Sequence, residues 1–325
     1  MKITSYIGQA NIVSELNEIF QAYENDSKKG EPYPWRPINL QGWTGSGKTY
    51  LGKAIVEQVK SAGFNYQFLA PNAGYRDLYS LFDKIASYDE ESEKVSSIPS
   101  VILVDEAHSQ KILLDIWLAL TADVEKVNTI WRQGRCFHFD PINHIWIFAS
   151  NRSVNKALSR RCRNFQLVEN TGAEMKRLAS LMIEKEKGIA LPDEAMDALV
   201  SRLKPFPGDL EEVMSPLVTR AKAENLKKLN AATVTEVLRS KGFFKMGLRR
   251  ADVAIVRELA KGKPLTANVL RFDCADDKKR DTQERIDWLA SRKLVMPVRN
   301  GFALSKVGVT YAQELIAANK KAKGK

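Results

Sequence analysis

The sequence predicts an α/β protein: a parallel-sheet domain first, then an all-α domain, then a winged helix. Three observations carry this expectation. Through the first 170 residues short apolar strands alternate with amphipathic helices, the pattern of a parallel sheet covered by helices on both faces. From Gly172 to about Lys241 the periodicity turns wholly helical. Near the C-terminus two short apolar runs meet across Asn300-Gly301, a hairpin signal. The expected domains are residues 1–171, 172–245 and 246–316, with a basic flexible tail over 317–325.

The strands expected in the first domain are Ile38 to Gln41, Tyr66 to Leu69, Val101 to Val104, Ile145 to Ala149 and Phe165 to Val168. They are short and rich in apolar residues, as strands buried on both faces require. Ile12, Leu16, Ile19, Phe20 and Tyr23, and later Leu78, Leu81, Phe82 and Ile85, recur at helical spacing, which puts each set on one buried helix face. Asp89 to Ser97, acidic and serine-rich, reads as an exposed loop. In the second domain Gly188, Pro205 and Pro207 punctuate the helices. In the third, helices are expected over Arg250 to Ala260, Thr266 to Phe272 and Thr282 to Ser291, then strands over Leu294 to Val298 and Phe302 to Leu304. Helix-turn-helix followed by a hairpin is the winged-helix arrangement. Low complexity is confined to the Lys/Ala tail after Ala317.

With 325 residues and 44% apolar content the chain can build two or three cored domains, which excludes a disordered or fibrous protein. No apolar run reaches the roughly 18 residues that span a bilayer, and Met1 to Gln9 lacks the marks of a signal peptide; a cytoplasmic protein without a membrane partner is expected. Cys136, Cys162 and Cys274 are odd in number and far apart, which suits reduced thiols better than a disulfide framework or a zinc site. The formal charge of +11 is uneven: residues 246–325 hold 18 Lys and Arg against 9 Asp and Glu and supply +9 of it. Clustered positive charge points to a polyanion, nucleic acid first; a solvated basic surface is the alternative.

Gly42-Trp43-Thr44-Gly45-Ser46-Gly47-Lys48-Thr49 fits G-x-x-x-x-G-K-[ST] at every fixed position, directly after a strand and directly before a helix. Glycines there let backbone N–H groups turn inward around phosphates at the positive end of the helix. Lys48 would reach the β and γ oxygens of ATP, and the Thr49 hydroxyl would hold Mg²⁺. The expected nucleotide contacts are Gly42, Thr44, Gly45, Ser46, Gly47, Lys48 and Thr49. A second signal follows by about sixty residues: the apolar run Val101 to Val104 ends in Asp105-Glu106. Asp105 can hold Mg²⁺ through water, and Glu106 can orient and polarise the attacking water. Alone, such a run is as readily a capped strand; behind a full P-loop it is the expected partner of that loop.

With both motifs placed, the chain resembles the AAA+ ATPases over essentially its whole length. Asn151 sits where that family keeps its first sensor, a polar residue that helps position the water. Ala157-Leu158-Ser159-Arg160-Arg161-Cys162-Arg163-Asn164-Phe165 looks like the arginine-finger segment of clamp loaders and equally of the RuvB Holliday-junction branch-migration motors. By register the resemblance assigns the finger to Arg161; for Arg160 and Arg163 a helix C-terminus that favours cations accounts as well. Tyr6-Ile7-Gly8-Gln9 resembles the adenine-contacting segment of RuvB, with Ile7 at the nucleotide. Thr129 to Asp140, with Gly134 at its middle, resembles the hairpin inserted before the first sensor, a candidate site for a protein partner; a plain edge hairpin is the alternative. The order of domains is also that of RuvB. One position departs: in Pro207-Gly208-Asp209-Leu210-Glu211, the second-sensor segment of the family, Glu211 stands where an arginine reaches the γ-phosphate. Lys204 is the nearby cation that could substitute.

In a winged helix the third helix enters the major groove and the hairpin follows the backbone. Lys278, Lys279, Arg280, Arg285 and Arg299 are therefore the candidate DNA contacts, although Asp276, Asp277, Asp281, Glu284 and Asp287 interleave and leave a protein-docking module as the alternative. The resemblance implies an ATP-hydrolysing homo-oligomer, a ring or arc and hexameric by analogy, that moves or remodels duplex or branched DNA. An ATP-switched loader of a helicase or clamp, and a DNA-binding scaffold in which turnover is incidental, are the other readings.

Overall fold

The computed structural model describes residues 3–89, 94–110, 113–122, 128–132, 135–140, 142–186, 188–273 and 279–323. They pack as two compact units, 1–185 with 205–212, and 186–204 with 213–325. The first sequence boundary, after residue 171, lies inside the first unit of this division, and the one after 245 lies inside the second.

In the first unit the order is α1 (Ala10–Lys29), β1 (Ile38–Gln41), α2 (Lys48–Lys60), β2 (Asn65–Leu69), α3 (Tyr75–Ile85), β3 (Ala86–Asp89), β4 (Lys94–Ser97) and β5 (Ser100–Val104). Then come α4 (Leu114–Leu120), β6 (Asn128–Arg132), β7 (Arg135–Phe139), β8 (His144–Ser150), α5 (Lys156–Arg161), β9 (Arg163–Gln166) and α6 (Gly172–Glu184). Among the described residues a five-stranded parallel sheet runs β2-β5-β8-β1-β9. Its central strands are buried along their length, and the two-residue alternation of a strand splits them between two cores. Ile102, Val104, Trp146 and Phe148 pack with α3 and α4, whereas Val101, Leu103, Ile145, Ile147 and Ala149 pack with α1 and α2. Each of the Val, Ile, Leu and Phe side chains among them, fully buried, stabilises the fold by about 1.5–3 kcal/mol.

The expected strands recur within a residue or two, with one shift. β9 begins at Arg163 because its register with β1 pairs Ile38 with Arg163 and Gln41 with Gln166. Val168, expected inside it, lies beyond and is exposed. The expected loop over Asp89 to Ser97 is a correction: β3 and β4 pair antiparallel, Ala86 with Ser97 and Asp89 with Lys94. Backbone pairing needs no apolar side chains, so polarity alone did not exclude a hairpin. The hairpin expected at 129–140 forms from β6 and β7, paired Asn128 with Phe139 through Arg132 with Arg135; Gly134 lies outside the described residues.

The second unit holds α7 (Asp193–Val200), most of α8 (Pro207–Ala223), α9 (Ala231–Ser240) and the short pair β10 (Phe243–Phe244) and β11 (Leu248–Arg249). The winged helix follows as α10 (Arg250–Leu259), α11 (Ala267–Asp273), α12 (Lys279–Ser291), β12 (Val295–Val298) and β13 (Gly301–Leu304). Leu265 bridges to Phe302 and extends the wing. Pro207 opens α8, where its missing N–H costs nothing. α13 (Lys306–Lys323) extends into the tail expected from 317; an Ala/Lys composition favours helix. No described helix is long and apolar enough to cross a membrane.

Candidate nucleotide-binding site

The C-terminal ends of three adjacent strands carry the site, as expected for a ligand in an open α/β sheet. β1 ends at Gln41 and passes into the Gly42–Gly47 loop, whose first amide donates to the Ser150 carbonyl at the end of β8 (3.2 Å). β5 ends at Val104, so Asp105 and Glu106 emerge there, and β8 ends at Ser150, so Asn151 emerges beside them. Gly45 and Gly47 take left-handed conformations (φ +82° and +93°), which glycine adopts without the Cβ penalty of other residues.

Lys48, the first residue of α2, is buried, and its ammonium donates to the Gly42 and Trp43 carbonyls, each at 3.0 Å. A buried cation held this way sits inside the loop ready for an anion. Ser46 Oγ is buried and has no hydrogen-bond partner among the described residues, which suits an additional acceptor in the cradle. Thr49 Oγ1 donates to Asp105 Oδ1 (3.4 Å), which also accepts from the Glu106 amide (3.0 Å). A hydroxyl and a carboxylate this close supply the hard oxygen donors that Mg²⁺ requires. Asn151 Nδ2 donates to Thr44 Oγ1 at 3.4 Å and ties the β8 end to the loop. Glu106 takes φ +48°, a strain of about 1–3 kcal/mol of the kind that clusters at functional sites.

Several contacts were not legible in the motifs. His108 Nδ1 lies 3.4 Å from Glu106 Oε2. Gln110 Nε2 donates to the Ala70 (2.9 Å) and Asp105 (3.3 Å) carbonyls and steadies the end of β5. Ile7 is buried, and its neighbours Tyr6 and Gln9 anchor the N-terminal segment. The Tyr6 hydroxyl donates to the Gly47 carbonyl (3.4 Å), and burial with the adjacent Tyr50 pushes its phenol pKa up. The Gln9 amide pairs with both main-chain groups of Val168 (2.7 and 3.0 Å). Only the sequence string Tyr6 to Gln9 pointed at any of these.

Away from the loop, Arg161 at the end of α5 is half-buried and donates to the Leu118 carbonyl, Arg160 is exposed and Arg163 half-buried. Burial pushes the nearby Cys162 thiol up to about 12. In the second unit the Lys204 ammonium lies 4.7 Å from the centre of the Trp288 ring, with the Arg292 guanidinium 4.1 Å from it. Among the candidate DNA contacts, Arg285 Nη1 pairs with the fully buried Asp252 (3.3 Å), a structural duty. Arg299 is exposed in the turn between β12 and β13. Lys279 and Arg280 lie in α12, and Lys278 lies outside the described residues.

The sheet, the loop and the two acidic residues behind it define the class of fold, that of the AAA+ P-loop ATPases with a helical lid and a C-terminal winged helix. Solved structures of Thermotoga maritima RuvB, described as a Holliday junction branch migration motor, match 96% of this chain and 97% of their own at 16% identity, with TM-scores of 0.74 to 0.76. Domain III of the Thermotoga maritima replication initiation protein DnaA matches 74% of this chain and 95% of its own (13% identity, TM-score 0.51). The FIGL-1 AAA domain in complex with ADP matches 74% and 84% (14% identity, TM-score 0.52). No protein-family model matches the sequence, and no curated protein does. At these identities the likeness is one of fold, and the fold is RuvB-like from end to end.

Proposed function

We propose that this chain is an oligomeric ATP hydrolase that moves or remodels duplex or branched DNA. The observation that supports the reading most directly is the contact of Thr49 Oγ1 with Asp105 Oδ1, which brings Lys48 and Thr49 after β1 to the same edge of the sheet as Asp105 and Glu106 after β5, with β8 between them. Lys48, Ser46 and the loop amides hold the phosphates of ATP, and Ile7 packs at the base. Thr49 and, through water, Asp105 would hold Mg²⁺, which neutralises charge on the β and γ oxygens. Glu106 orients and polarises the water that attacks the γ-phosphorus, Asn151 fixes its position, and Arg161 of a neighbouring subunit stabilises the charge that develops. The three-part division at residues 171 and 245 belongs to this reading, as do the ring or arc, hexameric by analogy, and a cytoplasmic location. DNA engages the winged helix through Lys278, Lys279, Arg280 and Arg299. Trp131 on the β6–β7 hairpin is 71% exposed, the most of any large apolar side chain among the described residues, and supports a protein partner there.

A loader that uses ATP to place another protein on DNA is the second reading. Glu211 favours it, because an exposed carboxylate at the second-sensor position cannot stabilise the γ-phosphate. The experiment that separates them is strand displacement on branched DNA with ATP, alongside imaging with a slowly hydrolysed analogue. Processive, ATP-dependent displacement by closed assemblies around duplex supports the motor. Placement of a partner ring without displacement selects the loader, and DNA binding indifferent to turnover selects a scaffold.

A further inference from the structure

We infer that Gly208 is a positioning residue for the P-loop, and that α8 reads the state of the nucleotide through a main-chain contact at Gly45 instead of through a side chain at position 211. The inference rests on the nucleotide-site reading above.

The contact is made of backbone. The Gly208 amide donates to the Gly45 carbonyl at 2.9 Å. A Cβ added at Gly208 would meet Gly45 Cα at 2.8 Å and its carbonyl oxygen at 3.3 Å, and one added at Gly45 would meet Gly208 Cα at 3.6 Å. Pro207 abuts the same loop, with Cγ 3.7 Å from a Cβ built at Gly47, and the preceding turn is fixed by the Asn170 amide on the Pro205 carbonyl (3.0 Å). Two glycine backbones pressed together at this distance leave no room for a side chain on the α8 side. Glu211, one turn on, is exposed.

The loop on the other side of the bond is the one that must change when phosphate arrives. Lys48 donates to the Gly42 and Trp43 carbonyls, and an ammonium that turns to phosphate oxygens releases them. Gly45, two residues on, carries that adjustment to the Gly208 amide. α8 runs from Pro207 to Ala223 with Pro216 in its interior, and only its first residues pack in the first unit. On this inference the first turn of the helix itself carries the coupling.

The test is amide hydrogen exchange on the full chain with Mg²⁺ and a slowly hydrolysed ATP analogue. Exchange should slow both over the loop, 42–49, and over the first turn of α8, 208–212. A hydrogen bond of ordinary strength corresponds to about tenfold in rate. Gly208→Ala should raise the KM for ATP by about tenfold while kcat moves much less, and at saturating analogue should keep the protection of 42–49 but lose that of 208–212. Glu211→Gln should leave both constants near those of the parent. Gly172→Ala, at a helix start with nothing within 4 Å of the added carbon, is the control. If the parent protects 42–49 and not 208–212, the inference fails and the nucleotide site stands. If it protects neither, both fail. Loss of protection or activity in Glu211→Gln would return the sensing role to the side chain. Should Gly208→Ala not fold, the exchange pattern of the parent decides alone.

Discussion

The two ends of the chain hold their chemistry in different ways. At the candidate nucleotide site, the proposed function rests on eight consecutive residues plus the residues at two strand ends, and the sheet fixes their geometry: Gly42 follows β1, Asp105 follows β5, Asn151 follows β8. In the winged helix, function is expected of cations scattered over α12 and the hairpin, and one of them, with other cations nearby, also builds the domain. Arg285 pairs with buried Asp252, Arg292 and Lys204 cover Trp288, and Arg249 lies 3.4 Å from the centre of the Phe243 ring. Arg249, Arg285 and Arg292 of the 18 Lys and Arg in the last 80 residues are thus engaged within the chain. A short motif states its chemistry by position, whereas a charge total does not say which charges are already engaged.

The largest effect expected on this contrast is at the proposed subunit interface. An arginine finger is worth about 10³ to 10⁵ in rate, so Arg161→Ala should nearly abolish turnover with ATP affinity largely kept. Mixed with Glu106→Gln subunits it should regain activity, because interfaces with one intact site and one intact finger form. Arg160 is the exposed neighbour, and a larger loss from Arg160→Ala than from Arg161→Ala would move the finger by one residue. No recovery in assemblies shown to contain both subunits would count against a shared site.

Within the site, Glu106→Gln should slow turnover by about 10²- to 10⁴-fold, the range for a general base, and still bind ATP. Lys48→Ala should lose nucleotide binding itself, since it removes the one buried ammonium in the loop. Full turnover in Glu106→Gln would take the catalytic carboxylate elsewhere.

How far each end was legible follows the same division. β1 was readable to the residue because Ile38 to Gln41 alternates apolar and polar residues and is stopped by Gly42 at the head of the P-loop motif. The Thr49–Asp105 contact followed from two motifs whose strands are separated by one neighbour in the sheet. Gln9 on Val168 and Gly208 on Gly45 were not readable, because each joins residues whose proximity only the folded chain creates; His108 and Glu106 are sequence neighbours, but no spacing rule turns such a pair into a contact. The β3–β4 hairpin and the α13 extension were missed for a local reason, since polar strands and Lys/Ala-rich helices look like loops to a hydrophobicity pattern.

On DNA, smaller effects are expected and salt separates them. Truncation at 246 would cut through the second compact unit and remove the Trp288 ring that Lys204 covers, so charge neutralisation is the cleaner probe. Replacing Lys278, Lys279, Arg280 and Arg299 by Gln should weaken binding almost equally across sequences. It should flatten the log–log salt dependence by about 0.9 for each phosphate that is no longer neutralised. An unchanged slope with loss of a protein partner would make the domain a docking module and favour the loader.

The smallest effect is the one that tests the contrast directly, because it sets two arginines of the same domain against each other. Arg285 Nη1 is 3.3 Å from Asp252 Oδ1, and the Asp252 carboxylate is fully buried, its other oxygen accepting from the Arg249 amide at 2.7 Å. Arg285→Gln removes a charged partner from that carboxylate. The cost should be about 1–3 kcal/mol in denaturant unfolding of the C-terminal unit, the range for a buried acceptor that loses its partner, held below that of a fully buried pair because Arg285 is 28% exposed. Its salt slope on DNA should match the parent. Arg299→Gln, in the exposed turn of the wing, should do the reverse, leaving the unfolding midpoint in place and lowering the slope by about 0.9. If Arg285→Gln flattens the slope without moving the midpoint, Arg285 is a DNA contact after all and its bond to Asp252 is incidental. If neither variant changes the slope, the wing does not lie on the phosphate backbone, and the basic surface that meets DNA has to be sought on α12.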